Sequence, residues 1–407
     1  MANLRVGLTF DDVLLVPQRS SLRSRAEADT ATWLTRRLRL RIPVVSANMD
    51  TVTEAPMAAA MARLGGIGII HRFVPISVQA QIVRQARALL DGNLSGPAKA
   101  TEGNGRRRSR ETRAAGTSSE SPGSGASETR GDALGASPDS FPLLIGAAVG
   151  AVGDYAERAA ELVHAGVDIL VIDIAHGHSD LAIEATANVK HAHPSVELIA
   201  GNVATARGAL DLVEAGADAV KVGVGPGAAC STRLVAGAGV PQLTALMDCV
   251  AVCEPMGIPV VADGGIKHSG DIVKALAVGA STVMIGSLLA GTDESPGEIH
   301  WREGVRFKAY RGMASVGAAR ARWERETPGA DLDELAAAVV PEGVEATVPY
   351  HGSIAAVIHQ LVGGLRSGMS YSNARTLTEL RANAELIQIT ALGWREGLPR
   401  AQPGHAE

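Results

Sequence analysis

The sequence predicts a parallel (β/α)8 barrel, and three observations carry that expectation. Short apolar runs recur at 42–47, 66–70, 143–149, 169–172, 197–200, 217–222, 259–262 and 282–285, each reading as a buried strand. Helical patterns alternate with them at 55–64, 78–90, 155–165, 179–191, 205–215 and 270–278, with a further helix-like start at 243. Asp173, Asn202, Cys230, Asp263 and Ser287 each follow the C-terminal end of such a strand, the face on which barrel enzymes keep their chemistry. About eight βα units at this short spacing favour closure; a doubly wound open sheet is the runner-up.

Taken in order, residues 1–40 read as a partly extended lead-in, and 1–92 hold the first two βα units. The pattern then breaks. Residues 93–140 are dominated by Gly, Ser, Ala, Thr and Arg, with almost nothing apolar to bury, so a disordered low-complexity linker is expected there. Its Arg-rich piece, Gly105-Arg-Arg-Arg-Ser-Arg110, suits a weak nucleic-acid or membrane contact poorly, because Glu111, Glu120 and Glu128 dilute it. The strand–helix rhythm resumes over 141–407, the remainder of the barrel.

Composition narrows the function. At 407 residues and 46% hydrophobic the chain can bury a large core, and with aromatics at 3% that core is aliphatic. A net charge of −5 argues against a nucleic-acid surface. Three Cys make no disulfide framework; Cys249 and Cys253, one helical turn apart without zinc-site partners, read as helix packing. No signal core follows Met1 and no 18-residue apolar run occurs, so a soluble, cytoplasmic protein off the membrane is expected.

The densest chemistry lies in Lys221-Val-Gly-Val-Gly-Pro-Gly-Ala-Ala-Cys-Ser-Thr-Arg233, which continues to Gln242 through Gly237 and Gly239. Glycines at this density let a backbone turn with φ > 0 and approach a ligand or ion closely. A Cys in such a turn can be exposed, with Lys221 or Arg233 favouring its thiolate; a flexible loop with an inert thiol is the alternative. Asp263-Gly264-Gly265 follows a strand, and so does Gly286-Ser287. Either alone is an ordinary turn, but on adjacent strands they occupy the usual barrel phosphate site, where a carboxylate can also accept ribose hydroxyls. Met49 beyond the first strand can pack on a purine or in the core. His176 and His178, spaced i,i+2 without a third ligand, read as solvated turn residues rather than a metal site.

These motifs together resemble the IMP dehydrogenase/GMP reductase family. The resemblance rests on the Cys loop with Ala236-Gly-Ala-Gly-Val-Pro-Gln242, on Leu8-Thr-Phe-Asp-Asp-Val-Leu-Leu-Val-Pro17 and on Ser46-Ala-Asn-Met-Asp-Thr-Val-Thr-Glu54. It extends through Asp173-Ile-Ala-His-Gly-His-Ser179, Ala262-Asp-Gly-Gly-Ile266, Met284-Ile-Gly-Ser-Leu-Leu-Ala-Gly-Thr292 and Tyr310-Arg-Gly-Met313, in the family's order. It implies Cys230 as nucleophile beside Thr232, and Asp263 on the ribose. Gly264, Gly265, Gly286, Ser287 and Tyr310 then surround the phosphate, with Met49, Gly312, Met313 and Glu342 on the purine. Asp173 is implied to touch the nicotinamide ribose of NAD, with Asn202, Gly223 and Gly225 on the same side. It also implies a potassium ion ringed by carbonyls of Gly225, Gly227 and Cys230, completed by Glu396, Gly397 and Leu398 of a neighbouring subunit in a homotetramer.

The implied reaction is NAD-dependent oxidation of IMP to xanthosine monophosphate through a Cys230 adduct that water then releases. Three departures stand out. The regulatory CBS-type pair common in this family is missing at 93–140. Ala228 stands where the family commonly has a phosphate-contacting Ser. The flap beginning at Val316 lacks the Arg-Tyr pair of dehydrogenases, with Arg322-Trp323 its nearest approach, and Val316 stands where a reductase has Glu. The wording elsewhere, as in Val340-Pro-Glu-Gly343, is closer to dehydrogenases. An NADPH-dependent GMP reductase is the first alternative and a nucleotide-binding paralogue that does not hydrolyse its adduct the second.

Overall fold

The computed structural model describes residues 4–92, 141–326 and 340–399. The apolar runs form eight parallel strands: β1 (Val44–Ser46), β2 (Ile67–Ile70), β3 (Ile145–Val149), β4 (Ile169–Asp173), β5 (Glu197–Val203), β6 (Ala219–Val222), β7 (Val260–Asp263) and β8 (Thr282–Ile285). They pair in chain order, and β8 returns to β1 with Val283 opposite Val44, so the sheet closes into a barrel. Side chains alternate across each strand. Ile67, Ile69, Ile169, Val171, Val261 and Met284 fill the lumen, while Ile70, Leu170, Ile172 and Val283 face the helices. Burial on both faces is why these strands read as unbroken apolar runs.

The outer ring comprises α1 (Ala55–Leu64), α2 (Ile76–Leu90), α3 (Tyr155–His164), α4 (Asp180–Ala192), α5 (Ala206–Glu214), α6 (Gln242–Cys253) and α7 (Ser269–Ala277). An eighth helix, α8 (Ile354–Tyr371), packs against α7 and α1 and completes it. The sequence pattern starts α4 and α5 one residue early, at Ser179 and Thr205. Both are cap residues: their hydroxyls accept from Ala182 N and Gly208 N, and a cap is only half inside its helix. Helix α2 starts two residues before the expected 78, directly after Pro75, whose φ of −52° already suits the entry.

The N-terminal end of the barrel is shut. A hairpin of Thr32–Trp33 with Arg39–Leu40 places Leu34 and Leu40 in the lumen cluster beside Leu144. Thr32 Oγ1 donates to Ser281 O at 2.7 Å, and Arg37 Nε donates to Glu197 at 2.6 Å, fastening that plug beneath β8 and β5. Open chemistry is therefore confined to the opposite end. An antiparallel sheet of Ile299–Arg302, Val305–Arg311 and Glu345–Pro349 carries Tyr310 and Arg311 there. The flap begins as a helix, Val316–Glu326; its continuation at 327–339 and the expected linker at 93–140 lie outside the described residues. Among the described residues no helix is long and apolar enough to cross a membrane.

One approach sets how closely the ring lies on the barrel. A Cβ on Gly68 of β2 would fall 2.6 Å from Ala58 Cα in α1. Gly68→Ala should therefore force strand and helix apart and cost about 1–3 kcal/mol. Urea unfolding measures this, and a midpoint unchanged from the parent would show the contact to be looser than it looks.

Candidate active site

Strand alternation puts Lys221 of β6 on the same face as Ala219, inside the barrel, where it is 1% exposed. Its Nζ donates to Asp173 Oδ1 at the end of β4 (2.6 Å), to Asp263 Oδ2 at the end of β7 (2.9 Å) and to Asn202 Oδ1 on β5. All three donors of the ammonium are thereby used. Asn202 Nδ2 donates in turn to Asp263 Oδ2 (2.9 Å) and Gly223 O (2.8 Å). Burial alone would lower the lysine pKa, but the charges of Asp173 and Asp263 outweigh it and raise it. Burial likewise opposes ionisation of Asp173, yet Lys221 holds its carboxyl below the usual range. This corrects one expectation: Lys221 does not attend the Cys230 thiol. Arg233 Nη2 donates to Val240 O at 2.6 Å, and its stem lies under Gly225 and Gly239.

The Cys loop is shaped from outside the barrel. Cys230 N donates to Gly227 O at 3.0 Å, and the exposed thiol lies 3.2 Å from Thr232 Oγ1. Cys230 then pairs antiparallel with Gly343; Ser231 N donates to Glu342 O (2.8 Å) and Val344 N to Ala229 O (3.0 Å). Gly312 N donates to Val344 O (3.0 Å) and Glu342 N to Ala314 O (3.1 Å), so the turn holding Gly312 and Met313 joins the same cluster. Cys230, Thr232, Gly312, Met313 and Glu342, scattered in sequence, are brought together.

Beside this loop lies a cavity of about 310 Å³. Met49, Asp263, Gly264, Gly265, Gly286, Ser287 and Tyr310 all line it, and Gly227 and Ala228 form its border with the Cys loop. At Gly286 a Cβ would lie 3.1 Å from Tyr310 Oη and 3.2 Å from Met49 Sδ, so glycine keeps that wall open. Burial, and then the charges of Asp263 and Cys230, push the Tyr310 hydroxyl up to about 12, leaving it a neutral donor at physiological pH. The lining also includes Thr9, Phe10, Asp11 and Gln242, which lie in the motifs that carry the resemblance but are given no role there, and Lys267, which lies outside them. A capping box from Thr9 to Asp12 marks a built turn at 9–12, but only the fold shows it docked on the cavity with Lys267 ion-paired to Asp11.

Other expectations fall elsewhere. Glu396, Gly397 and Leu398 close the helix Ala391–Glu396; Gly397 N and Leu398 N bond within that turn, to Trp394 O and Arg395 O. His176 is exposed as expected, but His178 is not simply solvated: its Nε2 lies 2.9 Å from Asp211 Oδ2. Among the described residues no cluster of His, Cys, Asp or Glu could hold a metal. Cys249 and Cys253 are buried in α6, as helix packing requires.

Residues 7–400 match the family described as IMP dehydrogenase / GMP reductase domain. The chain belongs to this family. Inosine-5'-monophosphate dehydrogenase of Nitrosopumilus maritimus (strain SCM1) is 43% identical over 97% of this chain and 98% of its own. GMP reductase of Leishmania major is 41% identical over 97% of each chain. A crystal structure of a cysteine-to-alanine variant of Trypanosoma brucei GMP reductase, in complex with guanosine 5'-monophosphate, superposes with a TM-score of 0.83 at 36% identity, covering 99% of both chains. Membership makes the protein an oxidoreductase of purine nucleotides built on a TIM barrel.

The three thiols differ sharply. Burial, reinforced by Cys253 and Asp248, pushes Cys249 far up, and burial pushes Cys253 up to about 11, whereas Cys230 is exposed. Iodoacetamide at pH 8 should modify Cys230 alone in the native protein and all three only after unfolding. Peptide mass spectrometry reads this directly; native labelling of Cys249 or Cys253 would contradict the packing of α6.

Proposed function

We propose that this protein oxidises IMP to xanthosine monophosphate with NAD, using Cys230 as nucleophile. One observation carries the reading: a cavity of about 310 Å³, large enough for a small ligand, ends at the loop that presents an exposed thiol. Both protein bonds to Asp263 fall on Oδ2, leaving Oδ1 for the ribose hydroxyls. Gly264 and Gly265, at φ of +91° and +83°, turn the backbone beside it. Gly265, Gly286, Ser287 and the Tyr310 hydroxyl receive the phosphate. Met49 packs on the purine, and Gly312, Met313 and Glu342 meet its edge. Ala228 adds no hydroxyl, so the phosphate has one donor fewer than is common in the family.

In the first step the Cys230 thiolate adds to purine C2 and a hydride leaves that carbon, giving a thioimidate. Asp173, with Asn202, Gly223 and Gly225 beside it, would hold NAD, whose chemistry when bound is to take up that hydride. Asp173 fits a ribose contact because Lys221 keeps it an ionised acceptor at the barrel mouth. In the second step water adds at C2, the C–S bond breaks, and xanthosine monophosphate departs as the thiol is restored. Thr232 Oγ1, at 3.2 Å from Sγ, orients that sulfur. The Gly225–Cys230 turn fits a potassium ion, since Gly227 O is engaged by a single amide and keeps a lone pair. Glu396, Gly397 and Leu398 of a neighbouring copy would complete that site in a homotetramer. On this reading 1–92 and 141–407 form one catalytic unit in the cytoplasm joined by the 93–140 linker, with no nucleic-acid or membrane partner.

GMP reduction with NADPH is the second reading, and one contact favours it. Glu345 Oε1 accepts from Gly317 N at 2.7 Å, putting a carboxylate at the start of the helix where a reductase carries its acid. Val316 itself brings no acid there, which supports the dehydrogenase.

Reduced-nicotinamide absorbance decides between them. With potassium, IMP and NAD it should rise over many turnovers, and with GMP and NADPH it should stay flat; the reverse pattern would make the protein a reductase. Cys230→Ala should abolish turnover while IMP still binds, and turnover near the parent rate would mean the nucleophile is misassigned. Tyr310→Phe should weaken IMP binding about 10-fold through loss of one hydrogen bond to a charged group, read by calorimetry.

A further inference from the structure

We propose that Lys221 is a positioning residue that makes the mononucleotide and dinucleotide sites one energetic unit, because its single ammonium bonds both Asp263 and Asp173. The inference rests on the roles proposed above for those two carboxylates. They stand on strands that are not neighbours, β4 and β7. Asp263 lines the nucleotide cavity and Asp173 does not. What joins them is Nζ of Lys221, at 2.6 Å from Asp173 Oδ1 and 2.9 Å from Asp263 Oδ2, with Asn202 Oδ1 as third acceptor. An ammonium with three fixed acceptors has no spare donor, so drawing it toward one carboxylate loosens its hold on the other. Asn202 reinforces the link by donating to Asp263 Oδ2 at 2.9 Å.

The cluster carries two negative charges and one positive. Losing the charge on Asp173 turns the whole field of Lys221 onto Asp263, which becomes a poorer acceptor for ribose hydroxyls. A change at the cofactor carboxylate is thus felt in the nucleotide cavity without any contact there. Such coupling between sites ordinarily amounts to a factor of about 5–150. Arg72 acts on Asp173 along with the Asn48 side chain, and the buried Tyr310 hydroxyl faces Asp263.

The test is IMP binding by calorimetry, without cofactor, to the full chain and to Asp173→Asn. The expected result is an affinity about 10-fold weaker in the variant, measured on protein that circular dichroism shows to be folded. An unchanged affinity would overturn the coupling while leaving the proposed reaction intact. Failure of the wild-type chain to bind IMP would instead overturn the reaction on which it rests. Lys221→Met separates positioning from mere support. Without the ammonium the link is cut, so adding Asp173→Asn to Lys221→Met should cost no further IMP affinity, whereas the same change in the parent does. A further loss of about 10-fold in the double variant would show that Lys221 does not carry the coupling, which contradicts the proposal. Should that variant not fold, Asp173→Asn decides alone.

Discussion

An ammonium group enclosed in a barrel of aliphatic side chains is stable only if its charge is answered nearby, and the mouth of this protein is organised by that requirement. Desolvation disfavours the charged form of Lys221, yet two carboxylates and an amide oxygen more than offset it. The requirement runs both ways. Asp173 is ionised because the lysine is there, and Asn202 is oriented by giving its oxygen to Nζ and its amide to Asp263 and Gly223. Four strand ends, β4 to β7, are thereby held in one bonded cluster, and the turns that follow them start from fixed points.

The loop bearing Cys230 is one of those turns, and its far side is held by a different layer. The segment leading into the last strand of the outer sheet supplies Gly343 and Val344 as a backbone template, while Asp50 and Arg311 form an ion pair that fastens this sheet to the turn after β1. Met49 and Tyr310, next to those ion-paired residues in sequence, consequently face each other across Gly286. A rigid barrel with a separately fastened cover is a means of placing side chains from distant parts of the chain within bonding distance of one ligand.

Much of this was legible in the sequence because parallel strands buried on both faces leave continuous apolar runs, so all eight could be placed within a few residues. Cys230, Asp263 and Gly286 were visible as motifs at strand ends. The plugging hairpin was not, since Thr32–Trp33 and Arg39–Leu40 are too short to leave a pattern. The outer sheet was not, since Ile299–Arg302 is exposed along its whole length and Glu345 pairs with Arg311 from far along the chain. Lys221 was misplaced for a subtler reason. Glycines nearby draw the eye to the loop, but strand parity with Ala219 sends the side chain inward, where a lysine demands carboxylates. Thr9, Phe10, Asp11 and Lys267 depend on which surface the N-terminal segment meets, and no local pattern encodes that.

The pairing of Cys230 with Gly343 means that the thiol's position depends on strand register as well as on the barrel. Register comes in whole residues, each about 3.4 Å in an antiparallel pair. A displacement of even about 1 Å is enough to cost a reacting group most of its rate. The outer sheet is therefore a ruler with only one usable mark, and insertions or deletions between Glu345 and Pro349 should be far less tolerated than their exposure suggests.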